Sequence, residues 1–376
     1  MKYLFVLGRN PELSIAEVKS YLRRCGISAG SFARRGIGFL VETAEPIEAD
    51  AIKFLGGVLR IGIVLGECSE IDKQEIYFGT GNKFNYAIWD FSDETGEVQE
   101  YLKNRFRNEK LRAREKMLTG RMNLQDGKFA NIVGSRLIGE EFFVFGNFFG
   151  RIVQKCDYEE LENRDMVKPV RREELAISPR LAKVMINFSE VKSGGKLADF
   201  FCGIGVILQE ALLQELEVIG IDTDVRAIAG AKKNLEWFKF PKEKYQIIND
   251  DSRKVQIKGT DVMVSEPDLG EKLRVTIERK KKIILRKTYT QERAKERMQE
   301  FENLMIDVLG NVKKKISGRI VFTAPFIKSS DRTKERIGCN IARICERTKL
   351  KLASGFPIAD FREGQITGRQ IFVLER

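Results

Sequence analysis

The chain has no histidine among its 376 residues. That absence excludes imidazole general bases, Ser-His-Asp triads and His-ligated metal centres. Cysteine is sparse: Cys25, Cys68, Cys156, Cys202, Cys339 and Cys345 are scattered, with no C-x-x-C pair among them. Such thiols fit a reducing compartment and supply neither a metal site nor a disulfide framework. No apolar run approaches the roughly 20 residues that cross a bilayer. The opening residues 1–7 pass into polar sequence too soon for a signal peptide. A cytoplasmic chain with no bound metal and no membrane attachment is therefore expected. Acidic residues are also outnumbered, 54 against 66 Lys and Arg, for a net charge of +12. That excess suits a polyanion, of which nucleic acid is the usual soluble one; the plainer alternative is a generally basic protein.

What is present divides into three units, as the length suggests. Residues 1–68 read as strand 2–7, a turn and cap at 10–14, amphipathic helix 15–22, strand 36–42, short helix 48–55 and strand 58–65. This β-α-β-β order predicts a ferredoxin-like α+β unit. Residues 69–160 carry strands near 86–91, 130–133, 141–145 and 150–154, and a helix over 97–109 with Val98, Leu102 and Phe106 four apart. Arg107, Arg112, Arg114 and Lys116 lie in and just after that helix, either as a solvated face or as an RNA contact. A polar linker, 161–170, ends in Lys168-Pro169 and opens the third unit, 161–376. There strands 196–200, 217–222, 245–249, 261–265, 319–324, about 350–355 and 370–375 alternate with helices. Alternation of that kind predicts a doubly wound, Rossmann-like α/β sheet. Met298, Phe301, Met305, Val308 and Val312 recur at helical spacing and read as core.

The most informative stretch is Lys196-Leu-Ala-Asp-Phe-Phe-Cys-Gly-Ile-Gly205, followed by strand 218–222. It reads as strand, glycine turn, helix 206–215 and strand, one β-α-β unit of a nucleoside-binding sheet. The third glycine of the dinucleotide fingerprint is missing, which disfavours a nicotinamide enzyme. Asp199 at the start of the turn looks instead like an S-adenosylmethionine site. Asp199, Phe201, Cys202, Gly203 and Gly205 are then candidates for the methionine end. Asp222, with Thr223, is placed to accept from ribose hydroxyls, and Asp251 with Ser252 to meet the adenine. All fall at the C-terminal ends of strands, where a parallel sheet holds its ligand.

The fourth strand runs into Ser265-Glu-Pro-Asp-Leu-Gly270. A carboxylate and a proline there resemble the Asp/Asn-Pro-Pro-aromatic motif of amino-methyltransferases. Arg164-Asp165, Lys168-Pro169, Ile177-Ser-Pro-Arg-Leu-Ala182, the Asp199–Gly205 turn and Gly368-Arg-Gln-Ile-Phe-Val resemble, more narrowly, the THUMP-domain tRNA guanosine N2-methyltransferases. The resemblance implies a ferredoxin-like domain over 1–68, a THUMP domain over 69–160 and a methyltransferase domain over 161–376. It implies S-adenosylmethionine as cofactor and tRNA as substrate, methylated on a guanine N2, typically at position 10. A monomer is favoured, and a small activator subunit is a further candidate partner. Glu266, Pro267 and Asp268 take the catalytic positions. Two stretches depart from the pattern. Phe200 stands where the family has proline, and Glu266-Pro267-Asp268-Leu269 where it has Asp-Pro-Pro-Tyr, so that Leu269 replaces an aromatic ring that would stack on the base. Phe326 and Phe361 are candidates to replace that ring. Beyond the motif, Lys280, Lys281 and Lys282 belong to a basic run suited to phosphates. Two other functions remain open: a tRNA-binding protein without turnover, and an amino-methyltransferase acting on another RNA or on DNA.

Overall fold

A computed structural model describes residues 1–376 except 78, 80, 93–95, 135–136, 172–176, 268–288, 331–334 and 363–364. By its contacts the chain divides into two compact units. One holds Met1–Val18 and Cys25–Asp157, the other Lys19–Arg24 and Tyr158–Arg376.

The first unit is built on an eight-stranded sheet. Its elements are β1 (Lys2–Leu7), helix α1 (Pro11–Cys25), β2 (Ala29–Arg35), β3 (Gly38–Thr43), β4 (Val58–Glu67), β5 (Lys83–Phe91), α2 (Gly96–Asn108), β6 (Arg112–Glu115), β9 (Glu140–Phe145) and β10 (Phe148–Lys155). A separate hairpin pairs β7 (Gly120–Asn123) with β8 (Phe129–Ile132). Strand order in the main sheet is β2-β3-β1-β4-β10-β9-β5-β6. The first four strands have the split β-α-β arrangement, with a 3-10 turn at Ala51–Phe54 where a second helix would stand. The sheet continues across residue 68, because β4 pairs antiparallel with β10. Helix α2 buries Val98, Leu102 and Phe106, the stripe read from the sequence, against Tyr86, Ile88, Phe142 and Phe149. Strand β2 escapes a reading by periodicity because it has no apolar alternation. Its residues Gly30–Arg35 are all exposed, as suits an edge strand.

The second unit begins with α3 (Tyr158–Val167) and α4 (Pro179–Ser189). It continues with β11 (Lys196–Asp199), α5 (Val206–Leu212), β12 (Glu217–Asp222), α6 (Val225–Trp237), β13 (Tyr245–Asn249), β14 (Val262–Ser265) and α7 (Gln291–Val312). It closes with β15 (Ile320–Lys328), β16 (Arg336–Ile337), α8 (Ile341–Thr348), β17 (Lys351–Leu352), β18 (Ile358–Asp360) and β19 (Thr367–Glu375). The sheet order is β13-β12-β11-β14-β15-β19-β17. Strands β11 to β15 are parallel and β19 runs antiparallel to β15. This is a doubly wound sheet whose order reverses between β11 and β14, and ligands bind outside the strand ends at such a switch point.

Several expected bounds change, among them two that shorten. The helix expected over 206–215 ends at Leu212, and the strand near 350–355 is only Lys351–Leu352. Phe200 is fully buried among Ile219, Ile221, Val255, Met263 and Val308, so the ring that stands in place of proline is a core residue. Met298 of α7 packs with Tyr289, Ala294 and Ile327, and Phe301, Met305, Val308 and Val312 join the main core.

Candidate functional site

A cavity of about 490 Å³ opens at the switch point. Its size is ordinary for a small-molecule site, roughly 300–1,000 Å³. Asp199, Phe201, Cys202, Gly203, Asp222, Thr223, Asp251, Ser252, Glu266 and Pro267 all line it. Residues from the ends of four parallel strands thus meet in one place. Of the remaining candidates, Gly205 forms the turn rather than the lining. It is the N-cap of α5 at φ +85°, a left-handed conformation that favours glycine. Asp268, Lys280, Lys281 and Lys282 lie outside the described residues.

Hydrogen bonds fix the first turn. The Phe200 N–H donates to Ser265 Oγ at 2.8 Å, the Cys202 N–H to the Ile221 carbonyl at 2.9 Å and the Gly205 N–H to the Cys202 carbonyl at 2.8 Å. Asp222 reaches back from the end of β12: its Oδ2 accepts the Gly203 N–H at 2.8 Å and its Oδ1 the Asp224 N–H at 2.9 Å. Each oxygen keeps a second lone pair for a ligand hydroxyl. Asn234 on α6, which no motif in the sequence singles out, supports the turn from behind. Its amide donates to the Ile204 carbonyl at 3.1 Å and its Oδ1 accepts the Val170 N–H at 3.0 Å.

The carboxyl groups differ in environment. Burial pushes Asp199 up to about 8; the Phe201 N–H at 3.1 Å and the Ser265 hydroxyl act the other way, and Asp222 and Glu266 add to the rise. At neutral pH the Asp199 carboxyl is therefore largely neutral before any cation arrives. Burial likewise pushes the Cys202 thiol well above its ordinary value, with Asp199 and Asp222 adding to it, so Cys202 is an unreactive wall. Asp251 is the opposite case. Arg253 grips it with contacts of 3.0, 3.0 and 2.6 Å and holds its carboxyl down at about 2. The Ser252 hydroxyl donates to the Phe200 carbonyl and ties the third strand-end loop to the first.

Glu266 follows β14 directly, and its Oε1 accepts from Arg369 Nε of β19. Both residues line the cavity. In the sequence Arg369 belongs to the closing motif but carries no role, because its partner lies 103 positions away. Arg253 and Leu304 also line the cavity without a local sequence signal, and Ile177 of the 177–182 motif and Val308 of the core stripe line it with them. Phe326 and Phe361, the candidate stacking rings, are not among the lining residues. They lie 6.0 Å apart, with the Arg336 guanidinium 4.2 Å from the Phe361 ring centre.

In the first unit, Arg107 is exposed in the last turn of α2, and Arg112 and Arg114 stand on the exposed face of β6. Strand pairing sets Lys83 of β5 beside Arg112. Lys116 is half-buried and lines a second cavity of about 700 Å³ with Arg35, Trp89, Asp90 and Phe91. Among the described residues no group of His, Cys, Asp and Glu could hold a metal ion, and no helix is long and apolar enough to cross a membrane.

The residues present fit S-adenosylmethionine. A turn with close backbone approach, carboxylates at the first two strand ends and an apolar wall from Leu304 and Val308 suit its amino acid, ribose and base. Comparison with known proteins agrees. The tRNA (guanine(10)-N2)-dimethyltransferase of Methanothermobacter thermautotrophicus is 36% identical over 96 residues, 25% of this chain and 28% of that protein. The enzyme of the same name from Pyrococcus abyssi is 26% identical over 238 residues, 63% of this chain and 68% of that protein. The first alignment thus spans little more than a quarter of the relative's length. Among solved structures, TrmN from Thermus thermophilus superposes over 100% of both chains with a TM-score of 0.49 and 13% identity. Residues 169–319 match the UPF0020 family, an RMKL-like methyltransferase domain.

Proposed function

We propose that the chain is an S-adenosylmethionine-dependent tRNA methyltransferase acting on guanine N2. The observation that carries this reading is the shared cavity. Glu266 and Pro267, the residues suited to an amine, stand in the same cavity as Asp199 and Asp222, the residues suited to the methyl donor. When bound, S-adenosylmethionine supplies an electrophilic methyl group on a sulfonium, whose C–S bond breaks with its electron pair leaving on sulfur.

The chain's own task is then placement. The N2 lone pair of guanine is delocalised into the ring and is a weak nucleophile. Glu266 accepts an N2 hydrogen and turns the nitrogen toward the methyl group. Pro267 fixes the backbone that carries Glu266. The nitrogen becomes acidic only as the new C–N bond forms, so no strong base is needed, and the proton passes to Glu266 or to water. Catalysis is mainly proximity and orientation. Asp222 holds the ribose and Asp199 faces the methionine end. The relatives' shared name, with its N2 amine of guanine, supports this choice over adenine N6 or cytosine N4.

The domains proposed over 1–68 and 69–160 bind tRNA by shape and charge. Arg107, Arg112, Arg114 and Lys116 supply phosphate contacts. Support comes from β6, where Lys83, Arg112 and Arg114 bring like charges together on an exposed face.

Nucleoside digestion of tRNA incubated with the chain and labelled S-adenosylmethionine tests the reading. Label in N2-methyl- or N2,N2-dimethylguanosine is expected. Label in N6-methyladenosine or N4-methylcytidine would overturn the choice of base. Binding of tRNA and cofactor without transfer would overturn the activity of the isolated chain, and an activator subunit would then be required.

A further inference from the structure

The Glu266–Arg369 pair leaves part of the arginine unused. Arg369 Nε is committed to Glu266, whereas Nη1 and Nη2 donate no hydrogen bond among the described residues. The side chain is 25% exposed and lines the cavity, while Glu266 beside it is 9% exposed. Arg369 is also held from below. Its strand pairs Arg369 with Pro325 on one side and with Asp360 on the other, so the backbone that presents the guanidinium is sheet on both flanks. A rigidly presented fork with spare donors, next to a carboxylate in the same cavity, is a built recognition edge rather than a surface charge.

The pattern along that edge is acceptor, acceptor, donor: the two oxygens of Glu266, then an Nη group of Arg369. The Watson–Crick edge of guanine runs donor, donor, acceptor: N2–H, N1–H, O6. The neighbouring atoms of a carboxylate and of the base edge are both a little over 2 Å apart by ordinary covalent geometry, about 2.2–2.3 Å. The two oxygens of Glu266 therefore match N2–H and N1–H in spacing, and the three groups match the base edge in order.

Resting on the reading of the site as a guanine-N2 methyltransferase, we propose that Arg369 is the specificity-determining residue that reads guanine O6. Its Nη donates to O6 while Glu266 accepts from N1–H and N2–H. Orientation comes from the edge of the base, which Glu266 and Arg369 grip together. Adenine and cytosine offer an acceptor, N1 or N3, where guanine offers N1–H, and so would leave one oxygen of Glu266 facing a lone pair. A buried polar group left unpaired in this way is a strong discriminator.

The test uses the full chain and tRNA carrying either guanosine or 6-thioguanosine at the methylated nucleotide. The thio base keeps N1–H and N2 but replaces O6 with a weak acceptor. Wild type is compared with Arg369→Met and Arg369→Lys, and cofactor affinity of each is measured as a check of folding. Wild type should prefer guanosine by about tenfold or more in kcat/KM, the worth of a charged hydrogen bond. In Arg369→Met that preference should fall to within about twofold of unity, whatever the loss of absolute rate. Lysine should recover little of it, lacking the fork that spans Glu266 and O6. A wild-type enzyme that uses both substrates equally, or a preference that survives in Arg369→Met while both rates fall together, would overturn the proposal and leave Arg369 as a support for Glu266. Absence of any transfer to the guanosine substrate would instead overturn the guanine-N2 reading on which it rests.

Discussion

The carboxylate of Asp222 binds the glycine turn of the neighbouring strand: its Oδ2 accepts the Gly203 N–H at 2.8 Å, while its Oδ1 accepts the Asp224 N–H at 2.9 Å. One side chain therefore both closes the first loop and faces the proposed ribose position. Both oxygens are needed as acceptors, which makes asparagine a poor substitute, because its NH2 group would face a backbone N–H. Asp222→Asn and Asp222→Ala should both weaken S-adenosylmethionine binding by about tenfold or more, the range of one hydrogen bond to a charged group. Calorimetric titration checks this. Asparagine that binds as well as wild type would show that only one oxygen matters.

Asp199 gives a pH signature. Its folded pKa is about 8, raised chiefly by burial, against an ordinary value of 3.8. Between those values the folded state holds a proton that the unfolded state has released. The contribution is fully present below about pH 4 and is lost as pH rises toward 8, by up to roughly 1.4 kcal/mol per pH unit. Asp199→Asn, which cannot ionise, should therefore gain in melting temperature relative to wild type as pH is raised from 5 to 8.5. A constant difference between the two proteins across that range would mean that Asp199 is ionised throughout.

The cationic face of β6 should act through phosphates. Arg112 and Arg114 are both exposed on one face of that strand, with Lys83 beside Arg112. Replacing both arginines by glutamine should weaken tRNA binding and flatten its dependence on log salt, by about 0.7–0.9 for each phosphate ion pair removed. Titrations at several salt concentrations measure the slope. Weaker binding with an unchanged slope would show that neither arginine pairs with a phosphate.

The sequence was most legible where chemistry is local. The turn from Asp199 to Gly205, Asp222 at the end of its strand and Glu266-Pro267 after the next lie in short segments whose strand-end position follows from the α/β alternation. What escaped was long-range or came from side chains already occupied. Arg369 reaches Glu266 only because β19 runs back antiparallel along β15, and no local pattern encodes that return. Ser252 has the right address but spends its hydroxyl on the Phe200 carbonyl. Phe200 is conspicuous against the family pattern as a departure from proline, yet it is an ordinary core ring. Strand β2 could not be found from alternation because both its faces are exposed.

The central claim is that Glu266 positions a guanine amine for methyl transfer. Its most direct test is transfer from labelled S-adenosylmethionine to unmodified tRNA transcripts, with wild type beside Glu266→Ala and cofactor affinity measured for both. Wild type should place label in N2-methylguanosine. The variant should bind cofactor with little change but lose roughly 100-fold or more in rate, the usual loss when one preorganised polar group is removed from a reacting centre. Equal rates in the two proteins, or label in another nucleoside, would contradict the account.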